Sequence, residues 1–380
     1  MTRTSLHFSQ LSLLLALLGF SFGSFGFFGC AKPEKERSET PQVQFLFQER
    51  DVSFPSIDII KAGTLAMPEG EGPFPAVVLL SPSMPNDRDI TFGGLTFFKD
   101  FAEYLASKGI AVLRTDDRGV GESTGSYFDS TLLDFSDDAI AAVHFLQSIQ
   151  RIRRDEIGLV GLSEGGAVGP LSASRSEDVA FVVMMAGPGL PYRGSMLGQI
   201  EDLGNLYGDD TEDIRKLQAA AVEMIGVINE NTPPPMAEEK IKAALLRLRD
   251  QDIESPAQRF MQASLEDEVA LMLTPWLRSQ AIYDPAPALI ALKVPLLAIT
   301  GELDPILSAE RHLPSIRRLM AESKSLDTSF RPLPGHNHIF QKTKTGKFEE
   351  YLSANATFSH EALGEISNWI LVRFPVLRVP

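Results

Sequence analysis

Five short apolar runs constrain the fold of this chain more than any other feature: Phe74–Ser81 (FPAVVLLS), Ile110–Arg114 (IAVLR), Ile157–Gly161 (IGLVG), Val179–Ala186 (VAFVVMMA) and Val294–Thr300 (VPLLAIT). Each is as long as a strand and shows no alternation, so it reads as a strand covered on both faces. Helical patterns lie between them at Phe97–Lys108, Leu132–Gln150 and Gly165–Ser174. Strands of this kind alternating with helices predict an α/β fold with a mostly parallel central sheet and helices on both faces. Val43–Phe47 and Ile57–Met67 read as further strands ahead of these, and Thr328–Leu333 as the last.

The alternation stops between Gly187 and Asp284. That stretch has amphipathic segments at Thr211–Ile228 and Glu238–Arg249, and another opening with Ser255 as N-cap and Pro256 as first helical residue. It has no convincing strand, so residues 187–289 are expected to be a helical cap inserted into the core, whose two parts are 43–186 and 290–380. Met224, Met236, Met261 and Met272 could line an adaptable apolar pocket there, although methionines at helical spacing are more often plain core.

The first 29 residues differ in kind: Arg3 is their one charge, and Leu11–Gly29 is a run of Leu, Phe, Gly, Ala and Ser, the composition of an export signal. Cys30, the protein's one cysteine, ends this run after Gly29, with a polar stretch behind it. A small residue before such a junctional cysteine resembles a lipoprotein processing site, which implies lipid attachment at Cys30, residues 30–42 as a tether, and a place in the cell envelope. Phe27 stands where such sites usually have leucine. With Cys30 acylated no thiol is left for a disulfide, so the core alone must hold the fold. A formal charge of −15 repels polyanions and excludes nucleic acid as a natural partner.

The pattern Gly-x-Ser-x-Gly occurs at Ser21, Ser123 and Ser163. Ser21 lies in the export run. Ser123 follows its strand only after a polar loop and leads into no immediate helix. Ser163, in Gly161-Leu162-Ser163-Glu164-Gly165, joins the Ile157–Gly161 run directly to a helix. That setting resembles the nucleophile elbow of α/β-hydrolases, where a sharp turn lifts the hydroxyl clear of the sheet and the next backbone N–H can meet an oxyanion. Glycines on both sides let backbone pass where a Cβ would clash.

A serine needs a base, and the base needs a carboxylate to orient it; in this fold they follow in the order serine, acid, histidine. Asp304, after the Val294–Thr300 run, is the candidate acid, with Glu302 as rival. Of six histidines, His7 lies in the export run, His144 in a helix, His312 before the last strand and His360 at the start of the final helix. His336 and His338 remain, in the loop after Thr328–Leu333, and position does not choose between them.

Five segments in this order resemble bacterial α/β-hydrolases related to the prolyl oligopeptidase and serine aminopeptidase groups, esterases among them: Pro85–Asp89, Asp116–Gly125, Gly161–Gly166, Tyr283–Ala288 and Asn337–Gln341. The resemblance covers roughly residues 55–375. It implies that the histidine after asparagine, His338, is the base, and that Arg118 braces loops near the elbow. It also implies a second oxyanion donor from the loop after Ser81, usually glycine-rich but here Pro82-Ser83-Met84-Pro85. Proline cannot donate, which leaves Ser83 or Met84 beside the Glu164 N–H.

The expected function is therefore a carboxylesterase-like serine hydrolase acting on a small acyl ester through Ser163, His338 and Asp304. Cleavage of short peptides from an N-terminus is the alternative and would use cap carboxylates such as Glu201 or Asp202. A non-catalytic envelope binding protein of the same fold is the reading from another class. No metal-binding or phosphate-binding motif is present in the sequence, and no cofactor is expected.

Overall fold

A computed structural model describes residues 45–92, 95–229, 232–250, 264–351 and 357–376. The export run, Cys30, the tether, Met261 and the segment opening at Ser255 lie outside the described residues.

Strands β1 (Phe47–Ser56), β2 (Ile59–Pro68), β3 (Phe74–Leu80), β4 (Ala111–Thr115), β5 (Ile152–Leu162), β6 (Phe181–Met185), β7 (Leu296–Gly301) and β8 (Thr328–Leu333) form one sheet in the order β1-β2-β4-β3-β5-β6-β7-β8. β1 and β2 are antiparallel to their neighbours, and the other pairings are parallel. This is the expected mostly parallel α/β sheet. Every residue of β6 and β7 is buried, because a strand covered by helices on both faces has no wet side to polarise its sequence.

The first strand differs from expectation. It begins where the Val43–Phe47 reading ends and runs through the polar stretch FQERDVSFPS. β1 is an edge strand with most of its side chains exposed, so charge costs it little and protects the open edge.

Helices α1 (Phe97–Ser107), α2 (Leu132–Gln147) and α3 (Glu164–Arg175) follow β3, β4 and β5. Thr131 starts α2 with a reciprocal cap: its hydroxyl accepts the Asp134 N–H, and the Asp134 carboxylate accepts the Thr131 N–H at 2.7 Å. Such a cap stabilises a helix by about 1 kcal/mol.

The described chain divides into two compact units, one spanning Tyr192–Tyr283 and one holding the sheet. The first consists of α4 (Tyr192–Tyr207), α5 (Thr211–Asn229), α6 (Pro234–Arg249), α7 (Leu265–Met272) and α8 (Pro275–Ala281). Its core gathers Met196, Ile200, Ile214, Leu217, Ile225 and Leu248. Met224 and Met272 are buried and line an apolar cavity of about 20 Å3, whereas Met236 is exposed. Met224 and Met272 are therefore core residues of this unit. No helix of the described residues is long and apolar enough to cross a membrane. The sheet unit adds α9 (Ala286–Ala291), α10 (Ala309–Met320) and α11 (His360–Arg373). Within it α1 packs against α11, and α2, α3, α9 and α10 contact one another in succession.

Loops at the carboxyl edge of the sheet are tied together through buried charge. Arg118 ties its loop to α2, gripping the Asp138 carboxylate with two nitrogens at 2.8 and 3.0 Å. Asp117, just beyond β4, accepts the Ser81 hydroxyl and the Asn86 N–H, the latter at 2.8 Å, and its own N–H donates to the Asn86 carbonyl at 3.0 Å. Burial pushes the Asp117 carboxyl up to about 6, against the pull of Lys61 and these hydrogen bonds.

The native state thus holds a proton on Asp117 that the unfolded chain releases near pH 4. The charged form weakens the fold, so stability from this group falls as pH rises from about 4 to about 6 and is level above that. Urea melts of wild type and Asp117→Asn across pH 4–8 should diverge in that window by on the order of 2–3 kcal/mol. Parallel pH profiles would contradict the assignment.

Candidate active site

Ser163 stands alone between the end of β5 and the start of α3, with φ +56° and ψ −111°. A non-glycine residue held there stores about 1–3 kcal/mol of strain, which the surrounding structure must overcome. Two hydrogen bonds hold it: the Ser163 N–H donates to the Met185 carbonyl on β6 at 2.8 Å, and the Gly166 N–H donates to the Ser163 carbonyl at 2.9 Å. A Cβ on Gly161 would lie 1.9 Å from the Gly165 carbonyl oxygen, and one on Gly165 would lie 2.3 Å from that of Leu80. Both obstacles are backbone and cannot swing away, so the turn closes only with glycine at both positions. Ser123, by contrast, is tied into a loop: its hydroxyl donates to the Asp116 carbonyl and accepts the Ala62 N–H, each at 2.9 Å.

Asp304 lies in the turn after β7 and is fully buried with His338, which lies in the loop after β8. Asp304 Oδ2 accepts from His338 Nδ1 at 2.8 Å, and Oδ1 accepts the N–H groups of Ile306 and Leu307 at 2.8 and 3.0 Å. A carboxylate can only accept, so the imidazole proton sits on Nδ1 and Nε2 is the basic nitrogen. Asn337 and Gln341 fix the loop: the Gln341 N–H donates to Asn337 Oδ1, and Asn337 Nδ2 donates to Gln341 Oε1, both at 2.9 Å.

His336 has another task. Its Nδ1–H donates to the Pro334 carbonyl at 2.8 Å, and its Nε2 accepts the Ser359 hydroxyl at 2.7 Å. Burial depresses its basicity, so it is a neutral ring bonding the loop to the start of α11. Glu302 is exposed and accepts the Gly335 N–H at 3.3 Å. The geometry therefore joins Asp304 to His338 and places both rivals in structural contacts.

Glu164 opens α3 and is buried, and Ser83 and Met84 lie in the loop after β3. The Met84 N–H donates to the Tyr127 hydroxyl at 2.9 Å, and that hydroxyl donates to Glu164 Oε1 at 2.8 Å. The Ser83 hydroxyl is 3.5 Å from Glu164 Oε2. Sequence reading missed Tyr127 and Asp117 as members of this region. Neither sits in a motif of fixed spacing, although Asp117 falls within the matched Asp116–Gly125 segment. Among the described residues no cluster of three or more His, Cys, Asp or Glu could hold a metal.

Gly161→Ala should destabilise the sheet unit by about 3 kcal/mol or more through backbone overlap. A shift below about 1 kcal/mol in urea melts would show that the turn is looser than described.

Residues 95–342 match the family described as serine aminopeptidase, S33. The esterase EstD of Thermotoga maritima is 36% identical over 160 residues, covering 42% of this chain and 37% of that protein. The acyl-coenzyme A amino acid N-acyltransferase 2 of Rattus norvegicus is 30% identical over 126 residues, covering 33% of this chain and 27% of that protein. The matched segments thus span well under two thirds of both relatives. Among solved structures, an α/β-hydrolase from Penicillium sp. sh18 superposes with a TM-score of 0.51 at 18% identity, covering 86% of this chain and 99% of that one. An esterase of Pyrococcus furiosus gives 0.51 at 15% identity, covering 86% and 92%. Such identities bear on fold alone. With the family match spanning most of the chain and enclosing Ser163, Asp304 and His338, this protein belongs to the serine aminopeptidase S33 family and has the α/β-hydrolase fold.

Proposed function

We propose that this chain hydrolyses carboxylic esters through an acyl-enzyme, with Ser163 as nucleophile, His338 as general base and acid, and Asp304 as the group that orients His338. The observation that supports this best is the buried hydrogen bond from His338 Nδ1 to Asp304 Oδ2 at 2.8 Å. It leaves Nε2 as the basic atom in a fold whose elbow serine is strained clear of the sheet.

In this reading the Ser163 hydroxyl oxygen attacks the acyl carbonyl while His338 Nε2 takes its proton. The C–O bond to the alcohol then breaks, and His338 returns the proton to the departing oxygen. Water repeats the sequence on the acyl-enzyme and frees the acid. The negative carbonyl oxygen would be met by the Glu164 and Ser83 N–H groups, since the Met84 N–H already donates to Tyr127.

An ester is preferred to a peptide because the esterase of Thermotoga maritima is 36% identical over its matched segment. The family's name keeps N-terminal peptide cleavage as the second reading, for which Glu201 and Asp202, half-buried on α4, are the candidate carboxylates. The apolar run ending at Gly29, followed by Cys30, supports export and lipid anchoring in the cell envelope. The partner of the site is then a small acyl ester or short peptide.

Turnover of p-nitrophenyl acyl esters and of an aminoacyl anilide tests the reading. Ser163→Ala and His338→Ala should lower kcat on esters by about 10^4-fold or more, and Asp304→Ala by about 10^4-fold. Glu302→Gln should stay within about twofold of wild type, as expected for a surface substitution. Faster anilide than ester turnover would favour the peptide reading, and ester turnover unchanged in Ser163→Ala would contradict both.

A further inference from the structure

The loop that should supply the second oxyanion donor has no glycine, yet it contains a residue in the left-handed region: Met84, at φ +77°. A methionine there is strained and stays only if its surroundings hold it. Asn86 contributes from within the loop, its Nδ2 donating to the carbonyls of Pro82 and Met84 at 3.0 and 2.5 Å. The Met84 N–H itself is held from outside the loop, by the Tyr127 hydroxyl at 2.9 Å.

We propose that Tyr127 is a positioning residue for the oxyanion site, one whose hydroxyl accepts the Met84 N–H and donates to Glu164, joining the loop that carries one oxyanion donor to the residue that carries the other. This deepens the ester-hydrolase reading and rests on it. Tyr127 is buried, and its ring packs against Phe135 and Phe128 with centroids 4.9 and 5.6 Å away. The hydroxyl is therefore fixed in place before any substrate arrives. Burial, with the nearby Glu164 and Asp117 carboxylates, raises its pKa well above the ordinary tyrosine value, so it remains a donor at any working pH.

The chain of bonds has a direction. The Met84 N–H donates to Tyr127, and Tyr127 donates to Glu164 Oε1. The tyrosine proton is thereby engaged away from the carbonyl oxygen of a substrate, and the hydroxyl acts on the reaction through Met84. Met84 in its turn is not the second donor. With its N–H held by Tyr127, it fixes the Ser83–Met84 peptide, and the Ser83 N–H, one peptide earlier, is positioned through that fixed neighbour. The side chain of Glu164 receives the Tyr127 hydroxyl, and its backbone N–H is the other donor of the proposed mechanism, so one chain of bonds joins the two donor-bearing segments.

The test uses p-nitrophenyl acetate and a fluorophosphonate with the wild type, Tyr127→Phe, and Tyr127→Phe combined with Met84→Gly. Tyr127→Phe keeps the ring packing and deletes the hydroxyl. It should lower kcat by about 10- to 100-fold, short of the full loss of a donor, with KM within about twofold and the thermal midpoint within a few degrees. Glycine adopts positive φ without strain, so adding Met84→Gly should recover at least about threefold of the lost kcat. A purely structural role for Tyr127 would give no such rescue. If Tyr127→Phe melts early, Glu164→Gln, which weakens the acceptor at the far end of the chain, should show the same fall in kcat at constant KM, and an unchanged kcat would overturn the proposal. Tyr127→Phe within twofold of wild-type kcat, or a loss that Met84→Gly does not relieve, also overturns it while leaving the ester-hydrolase reading intact. A wild type that neither turns over ester nor is phosphonylated at Ser163 overturns that reading and this proposal together.

Discussion

The close crossing of β5 and α3 at Ser163 is the constraint around which the sheet unit is organised. The serine is held at φ +56° by one hydrogen bond to β6 and one within the turn. The backbones of Gly161, Gly165 and Leu80 pass too near one another for any side chain. Such strain persists only when rigid neighbours over-determine it. The rigidity comes from the strands beside it, β3, buried up to Leu79, and the fully buried β6, and from the apolar runs that allow them to be buried on both faces. The elbow is thus a local conformation stabilised by a global one, which is why the short motif means little without its strand and helix.

The polar groups near the carboxyl edge follow a second rule: where charge is buried it is bonded. Asp304 accepts from His338 and from two backbone N–H groups, and Asp138 is gripped by Arg118. Asp117 is the exception in kind, a carboxyl whose bonds do not fully offset its burial and which is pushed up to about 6. Hydrogen bonds made before the substrate arrives need no reorganisation during the reaction, which is where electrostatic stabilisation of a transition state gains most.

Sequence legibility follows from what each position must satisfy. Strands β3, β6, β7 and the second half of β5 were readable because burial on both faces removes polar residues, whereas the half-exposed start of β5, Arg153–Glu156, was not. β1 was not, since an edge strand tolerates Gln48, Glu49, Arg50 and Asp51. Chain order and the glycine pair singled out Ser163, and the position after a strand singled out Asp304. Position left His336 and His338 level, because both lie in one loop and differ only in what their ring nitrogens meet. The resemblance favoured His338, and the structure bonds it to Asp304. Sequence could not tell Ser83 from Met84, since what distinguishes them is that the Met84 N–H is taken up by the hydroxyl of Tyr127, forty-three residues away along the chain. The methionines of the helical unit read as a possible pocket, but Met224 and Met272 are packed in a core.

The most direct test of the account is covalent: react the protein with a fluorophosphonate probe and map the modified peptide by mass spectrometry. One adduct is expected, on Ser163, formed by wild type and lost in His338→Ala, because a serine hydroxyl becomes a nucleophile only when a base takes its proton. No adduct, an adduct on Ser123, or equal labelling without His338 would contradict it.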